Sequence, residues 1–192
     1  MPAITSDPMR EALSRYTRFL AREGLISGSE GNLSARQGER ILITPSGGLK
    51  AELSPEEICE VDLSGRILSG RPTSELLMHL EIYRRHPEVH AVVHTHPPYT
   101  LALSLAGHDF REHLLYEGEI LLGEVARVPP KPPGTKELAE AVACALGKAR
   151  VAVLERHGAV SVGRDLSEAV NLTLVLEKVS RVTYLARLLK RL

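Results

Sequence analysis

His94 and His96 are spaced HxH in VVHTHPP, at the end of a run from Val89 to Thr95 that alternates as a β-strand does. On a strand, residues i and i+2 leave from the same face, so the two imidazoles can converge on one ion. Neutral imidazole is a common zinc ligand, and three histidines with an open fourth position recur in catalytic sites. His157 is the third candidate. It follows the apolar run VAVL and precedes Gly158, which puts a ring at a strand end beside a tight turn. The expected chemistry is that of one divalent metal, zinc for preference, on His94, His96 and His157. His90 shares the face but lies toward the strand start. His79, His86, His108 and His113 have no partner at ligand spacing and are read as ordinary solvated or core histidines.

Three short segments are rich in backbone donors and hydroxyls: GNLS from Gly31 to Ser34, TPSGG from Thr44 to Gly48, and PTSE from Pro72 to Glu75. Glycines let N–H groups approach an anion, Asn32 and the hydroxyls add donors, and a helix starting at Ser74 would aim its positive end at the site. Each segment alone also reads as turn or cap chemistry. Together, in a chain with a histidine cluster, they point to a phosphate. Glu75 falls in the first turn of that helix, where the dipole favours a carboxylate anyway; its functional reading is a base, or a fourth ligand, beside the metal.

The elements that must position these residues follow from periodicity and punctuation. Asp7 and Pro8 open a helix whose Met9, Leu13, Tyr16 and Leu20 share a face, with Gly24 to stop it. The stretch from Gly24 to Gly48 is glycine-rich and polar around a strand-like Ile41 to Ile43, and further strands are expected at Ile58 to Val61 and Arg66 to Leu68. Ser74 is expected to cap a helix running to Pro87, and a second helix follows Pro98. A strand is expected at Ile120 to Val125. Pro129, Pro130, Pro132 and Pro133 force an extended connection. Thr135 opens a helix to about Leu146, Val151 to Leu154 is strand-like, and Asp165 with Glu168 forms a capping box for a long last helix.

The 192 residues, 43% hydrophobic and 25% charged, suit one domain spanning 1–192. Lys plus Arg equals Asp plus Glu at 24 each, so no net field draws the chain to nucleic acid or an anionic membrane. MPAITSDPMREALSRY lacks the pattern of a secretory leader, and no apolar run approaches the roughly 20 residues of a membrane span. A cytoplasmic enzyme of small molecules is expected. Cys59 and Cys144, far apart, read as two small buried residues rather than a bridge.

The ordered set GNLS, ITPSG, PTSE, HTHPP, PPGTKEL and RHGAV, running from about Glu11 to Tyr184, resembles the class II aldolase/adducin family, and within it the L-fuculose-1-phosphate aldolases. The resemblance implies an α/β fold: a three-layer α/β/α sandwich around a mostly antiparallel central sheet, usually a homotetramer with active sites between neighbouring subunits. It implies zinc on His94, His96 and His157 as a Lewis acid that stabilises the enediolate left when a carbon–carbon bond of a ketose 1-phosphate breaks. Glu75 would be the fourth ligand at rest and then the proton shuttle. Asn32, Ser46, Gly47, Thr73 and Ser74 would hold the substrate phosphate. Two departures are visible. A tyrosine that protonates the leaving aldehyde is expected where Leu115 stands, with Tyr116 adjacent. Glu117 instead resembles the base of the methylthioribulose-1-phosphate dehydratase branch. The C-terminus is also short where the fuculose aldolases carry a further tail. A sugar-phosphate dehydratase using Glu117, and a non-catalytic scaffold like the adducin heads, therefore stand beside the aldolase as alternatives.

Overall fold

A computed structural model describes residues 7–190, so Met1 to Ser6, the start of the stretch read above for a leader, lie outside the described residues. The helices are α1 (Pro8–Arg22), α2 (Leu76–Arg85), α3 (Pro98–Leu105), α4 (Lys136–Ala145) and α5 (Leu166–Leu189). The strands are β1 (Asn32–Gln37), β2 (Arg40–Ile43), β3 (Cys59–Asp62), β4 (Ile67–Ser69), β5 (Ala91–Thr95), β6 (Val125–Val128), β7 (Val151–Leu154) and β8 (Gly158–Gly163). They form one sheet in the order β4-β3-β2-β1-β5-β8-β7-β6. Every neighbouring pair is antiparallel except β6 with β7.

The period-2 alternation of the strands sorts their side chains into two cores. Ile41, Ile43, Val61, Val92, Leu154 and Val160 pack with Met78, Ile82, Leu138 and Val142 of α2 and α4 on one face. Leu33, Leu42, Ala91 and Val93 pack with Leu13, Leu20 and Val170 of α1 and α5 on the other, and Val151, Val153 and Ala159 continue that face against Leu103 of α3 and Leu172 of α5. Fully burying each such Val, Leu or Ile contributes about 1.5–3 kcal/mol, so the three layers hold the central strands firmly. This is the expected mostly antiparallel α/β/α sandwich.

Local signals explain the helix starts. Asp7 accepts from the Met9 N–H and Thr135 from the Leu138 N–H, both as N-caps. Asp165 accepts from the Glu168 N–H, but the Glu168 carboxylate accepts from the Arg164 N–H, so only half of the expected capping box is present. Ser74 does not cap α2: the N-cap position is Glu75, whose side chain makes no cap hydrogen bond because it turns into the site instead. The strand expected at Ile120 to Val125 is also corrected. Gly118–Leu122 is a π-helical turn ended by Gly123 at φ 61°, and the strand begins only at Val125. Ile120 is 74% exposed while Leu122 is buried, so the turn splits the apolar run that suggested a buried strand between solvent and core. Cys59 is buried as expected, whereas Cys144 is exposed.

Candidate active site

The alternation that builds the sheet also aims the site. His94 on β5 shares the parity of Val92 and so faces α2; Asn32 of β1 is its register partner on one side and Val160 of β8 on the other. β5 ends at Thr95, and His96 lies one residue beyond it, where its backbone N–H donates to the Leu25 carbonyl. Glu177 of α5 accepts from the Tyr99 and Thr100 N–H groups, capping α3 and anchoring the chain just past His96. His157 sits in the turn between β7 and β8, after Arg156, the one non-glycine residue with positive φ (62°) among those described. Gly158 is required there: a Cβ would stand 2.4 Å from the Thr95 carbonyl oxygen and 2.9 Å from the His94 ring.

His94, His96 and His157 come together with one ligand nitrogen each, all within 4.8 Å of one another. The Nδ1–H of His94 donates to the Ala159 carbonyl at 3.0 Å, and that of His96 to the Glu30 carboxylate at 2.8 Å. Those partners fix the tautomers and leave both Nε2 lone pairs facing inward, 3.1 Å apart. Glu75 completes the group. Its Oε2 lies 3.1 Å from His94 Nε2, its Oε1 3.5 Å from His157 Nε2, and Oε1 is buried with no hydrogen-bond partner. Electron-rich atoms gathered this closely need positive charge among them. A proton can bridge one pair at a time; a divalent cation satisfies all at once. The donor set therefore fits a metal.

The electrostatics agree. Burial opposes ionisation of Glu75, but positive charge shared with the His94 and His157 rings, a bridging proton in the metal-free protein, together with the Asn32 amide outweighs it and holds the carboxyl well below the usual range. Burial pushes His157 down to about 4 and lowers His96 as well, so both rings are neutral near neutral pH, as ligands must be.

The three anion segments meet around this cluster. The Ser46 N–H donates to the Arg71 carbonyl at 2.9 Å and the Thr73 N–H to that of Thr44 at 3.1 Å, which lays the loop holding Ser46 and Gly47 beside Thr73 and Ser74. Thr44 in turn pairs with Leu33, next to Asn32. The Asn32 side chain is more committed than its sequence context suggests. Its Nδ2 donates to Glu75 Oε2 at 3.0 Å and its Oδ1 faces His79 Nε2. Tyr116 and Glu117 stand apart, on the exposed segment that packs toward α5. Tyr116 is 79% exposed, and Glu117 pairs with Lys178 at 3.0 Å.

Sequence reasoning passes over three residues here. Glu30 orients His96, and its only signal is an acid next to GNLS. Lys50 is buried, and its Nζ donates to the Pro45 and Gly47 carbonyls at 2.8 and 2.7 Å, pinning the loop from below. Desolvation lowers its pKa. His79 is fully buried, and its spacing gives it no partner. Removing the partner that orients a ligating histidine typically lowers metal affinity about 10–100-fold. Glu30→Ala is expected to do so with little loss of fold, since Glu30 is partly exposed; chelator competition measures it.

Comparison with known proteins is consistent with this geometry. Residues 11–184 match the family described as Class II Aldolase and Adducin N-terminal domain. The chain is 42% identical over 165 residues to an L-fuculose phosphate aldolase of Methanococcus maripaludis strain C7, covering 86% of this chain and 90% of that protein. It is 33% identical to a 3-oxo-tetronate 4-phosphate decarboxylase of Escherichia coli K12, over 95% of this chain and 89% of that one. The crystal structure of L-fuculose-1-phosphate aldolase from Thermus thermophilus superimposes with a TM-score of 0.87 at 38% identity, covering 95% of each chain.

Proposed function

Since the chain belongs to the class II aldolase and adducin family, we propose that it is a zinc-dependent aldolase. It would cleave a ketose 1-phosphate of the L-fuculose 1-phosphate type, reversibly, into dihydroxyacetone phosphate and a hydroxyaldehyde. The observation that carries this reading is the inward convergence of three imidazole nitrogens on a buried carboxylate with one unpaired oxygen. His94, His96 and His157 would hold the zinc, with Glu75 as fourth ligand, and the metal would supply Lewis-acid polarisation of the substrate carbonyl.

The chain's own groups do the rest. Ser46, Gly47, Thr73 and Ser74, with the remaining N–H of Asn32, bind the phosphate and so fix the substrate's register. Glu75 Oε1 takes up and returns the proton at the carbon that carries charge once the bond has broken, and burial keeps water from competing for it. The whole chain, 1–192, acts as one domain. Tyr116, exposed beside Leu114 and Ile120, fits a homotetramer in which a neighbouring copy covers this segment and Tyr116 or Glu117 meets the leaving aldehyde. A sugar phosphate in the cytoplasm is the substrate of this reading; the balanced charge gives no net field toward nucleic acid or an anionic membrane, and no helix among the described residues is long and apolar enough to cross a membrane.

A second reading is favoured by the decarboxylase relatives. Loss of carbon dioxide beside a carbonyl leaves the same kind of enolate, so one site serves either leaving group. Assay of dihydroxyacetone phosphate release from L-fuculose 1-phosphate and L-rhamnulose 1-phosphate, beside carbon dioxide release from 3-oxo-tetronate 4-phosphate, decides between them. Release of dihydroxyacetone phosphate that chelation abolishes is expected. Carbon dioxide release alone would replace the aldolase reading, and silence in both with zinc bound would favour the dehydratase, tested by Glu117→Gln.

A further inference from the structure

His79 lies one helical turn beyond Glu75 on the same face of α2, fully buried. It is the middle of a continuous buried run of polar groups. Tyr83 Oη meets Ser34 Oγ at 2.7 Å, Ser34 Oγ meets His79 Nδ1 at 2.7 Å, His79 Nε2 meets Asn32 Oδ1 at 2.5 Å, and Asn32 Nδ2 meets Glu75 Oε2 at 3.0 Å.

The chemistry of one end dictates every proton in the run. A carboxylate only accepts, so Asn32 must present its Nδ2 to Glu75, and its Oδ1 then points away and needs a donor. His79 Nε2–H is that donor. A neutral imidazole carries one N–H, so His79 Nδ1 is bare and accepts from the Ser34 hydroxyl, whose oxygen accepts from Tyr83. An Asn amide turned the other way would set two acceptors against each other beside Glu75 and two donors against each other at His79 Nε2–H, so the His79 proton on Nε2 reinforces the orientation that Glu75 selects.

We infer that His79 is a positioning residue: through the Asn32 amide it fixes Glu75 Oε2 and so keeps Oε1 turned toward His157. The catalytic part of this inference rests on the reading of Glu75 as the proton shuttle. Asn32 and Ser34 alternate with apolar Leu33 and Ala35 on β1, which explains why a strand facing a helix core carries polar groups on that face: they are the run's own members.

The test uses the full-length zinc-loaded enzyme, the metal-free protein, and His79→Leu and His79→Gln. Leu removes both ring contacts; Gln can still donate to Asn32 and accept from Ser34. His79→Leu is expected to lower kcat about 10–100-fold, the usual effect of an outer partner, with KM and zinc affinity little changed and with recovery in His79→Gln. In the metal-free wild type, nitrogen-15 NMR of the His79 ring should show the proton on Nε2. In Glu75→Gln, whose amide can donate as well as accept, that single tautomer should give way to a mixture. A proton found on Nδ1, or a kcat unchanged in His79→Leu while Glu75→Gln is inactive, overturns the role of His79 and leaves the function intact. A fully active Glu75→Gln overturns the shuttle itself. If His79→Leu does not fold, the ring spectrum of the wild type still decides.

Discussion

His94→Ala is expected to lose metal and turnover together. The ring is fully buried and is one of the three histidines proposed to hold the metal; its Nδ1–H also satisfies the Ala159 carbonyl. Truncation removes a ligand, leaves that carbonyl without its donor, and opens a cavity. The last two effects together cost about 2–5 kcal/mol of stability, from the loss of a satisfied buried acceptor and of a packed side chain. Lewis-acid stabilisation supplies several kcal/mol to the barrier, so activity should fall at least ~10³-fold. Zinc content after gel filtration, urea unfolding and initial rates separate the causes. A folded His94→Ala protein that keeps stoichiometric zinc and measurable turnover would remove His94 from the ligand set.

Glu75→Gln is expected to dissociate those two properties. Glutamine preserves volume and can still accept from Asn32, and three imidazoles remain, so the fold and most of the zinc affinity should persist. What is lost is the basic oxygen. General acid–base catalysis is worth about 10²–10⁴-fold, and kcat should drop by that order while KM moves little. Proton exchange at the nascent carbanion carbon, followed by isotope incorporation from solvent, should drop in parallel. Full retention of both rates would exclude Glu75 as the base.

The ligand histidines are legible in the sequence because strand period and residue type point the same way: VVHTH alternates, and an imidazole before Gly158 has few structural reasons to be there. The turn carrying His157 and the caps of α1 and α4 are equally readable, since each is decided within a few residues. β1 is not. Its NLSA does alternate polar with apolar, but the polar face is buried too, and in a glycine-rich, polar stretch the short segment reads as part of a loop region. β8, GAVSVG, is bounded by glycines and reads only as a turn after His157. The mistaken strand at Ile120 to Val125 has the opposite cause: an apolar run that buries Leu122 and Val125 in the core but leaves Ile120 exposed, through a π-helical turn in place of a strand. Strand order, and with it the meeting of the three donor-rich segments, depends on pairings far apart along the chain that no local pattern encodes.

The register of β1, β5 and β8 has a consequence for the life of the protein outside its catalysis. The proposed ligands come from the start of α2, the end of β5 and the β7–β8 turn, with the Glu30–Asn32 corner orienting them, and the set exists only once the middle of the sheet has zipped together. If the cluster holds the proposed metal, ion affinity is made by folding, and linkage returns it as resistance to unfolding, about 2.7 kcal/mol when free ion stands at a hundred times its dissociation constant. Abundance of the enzyme in a cell would then follow the supply of its metal, because the ion-starved chain opens more often and meets proteases more often.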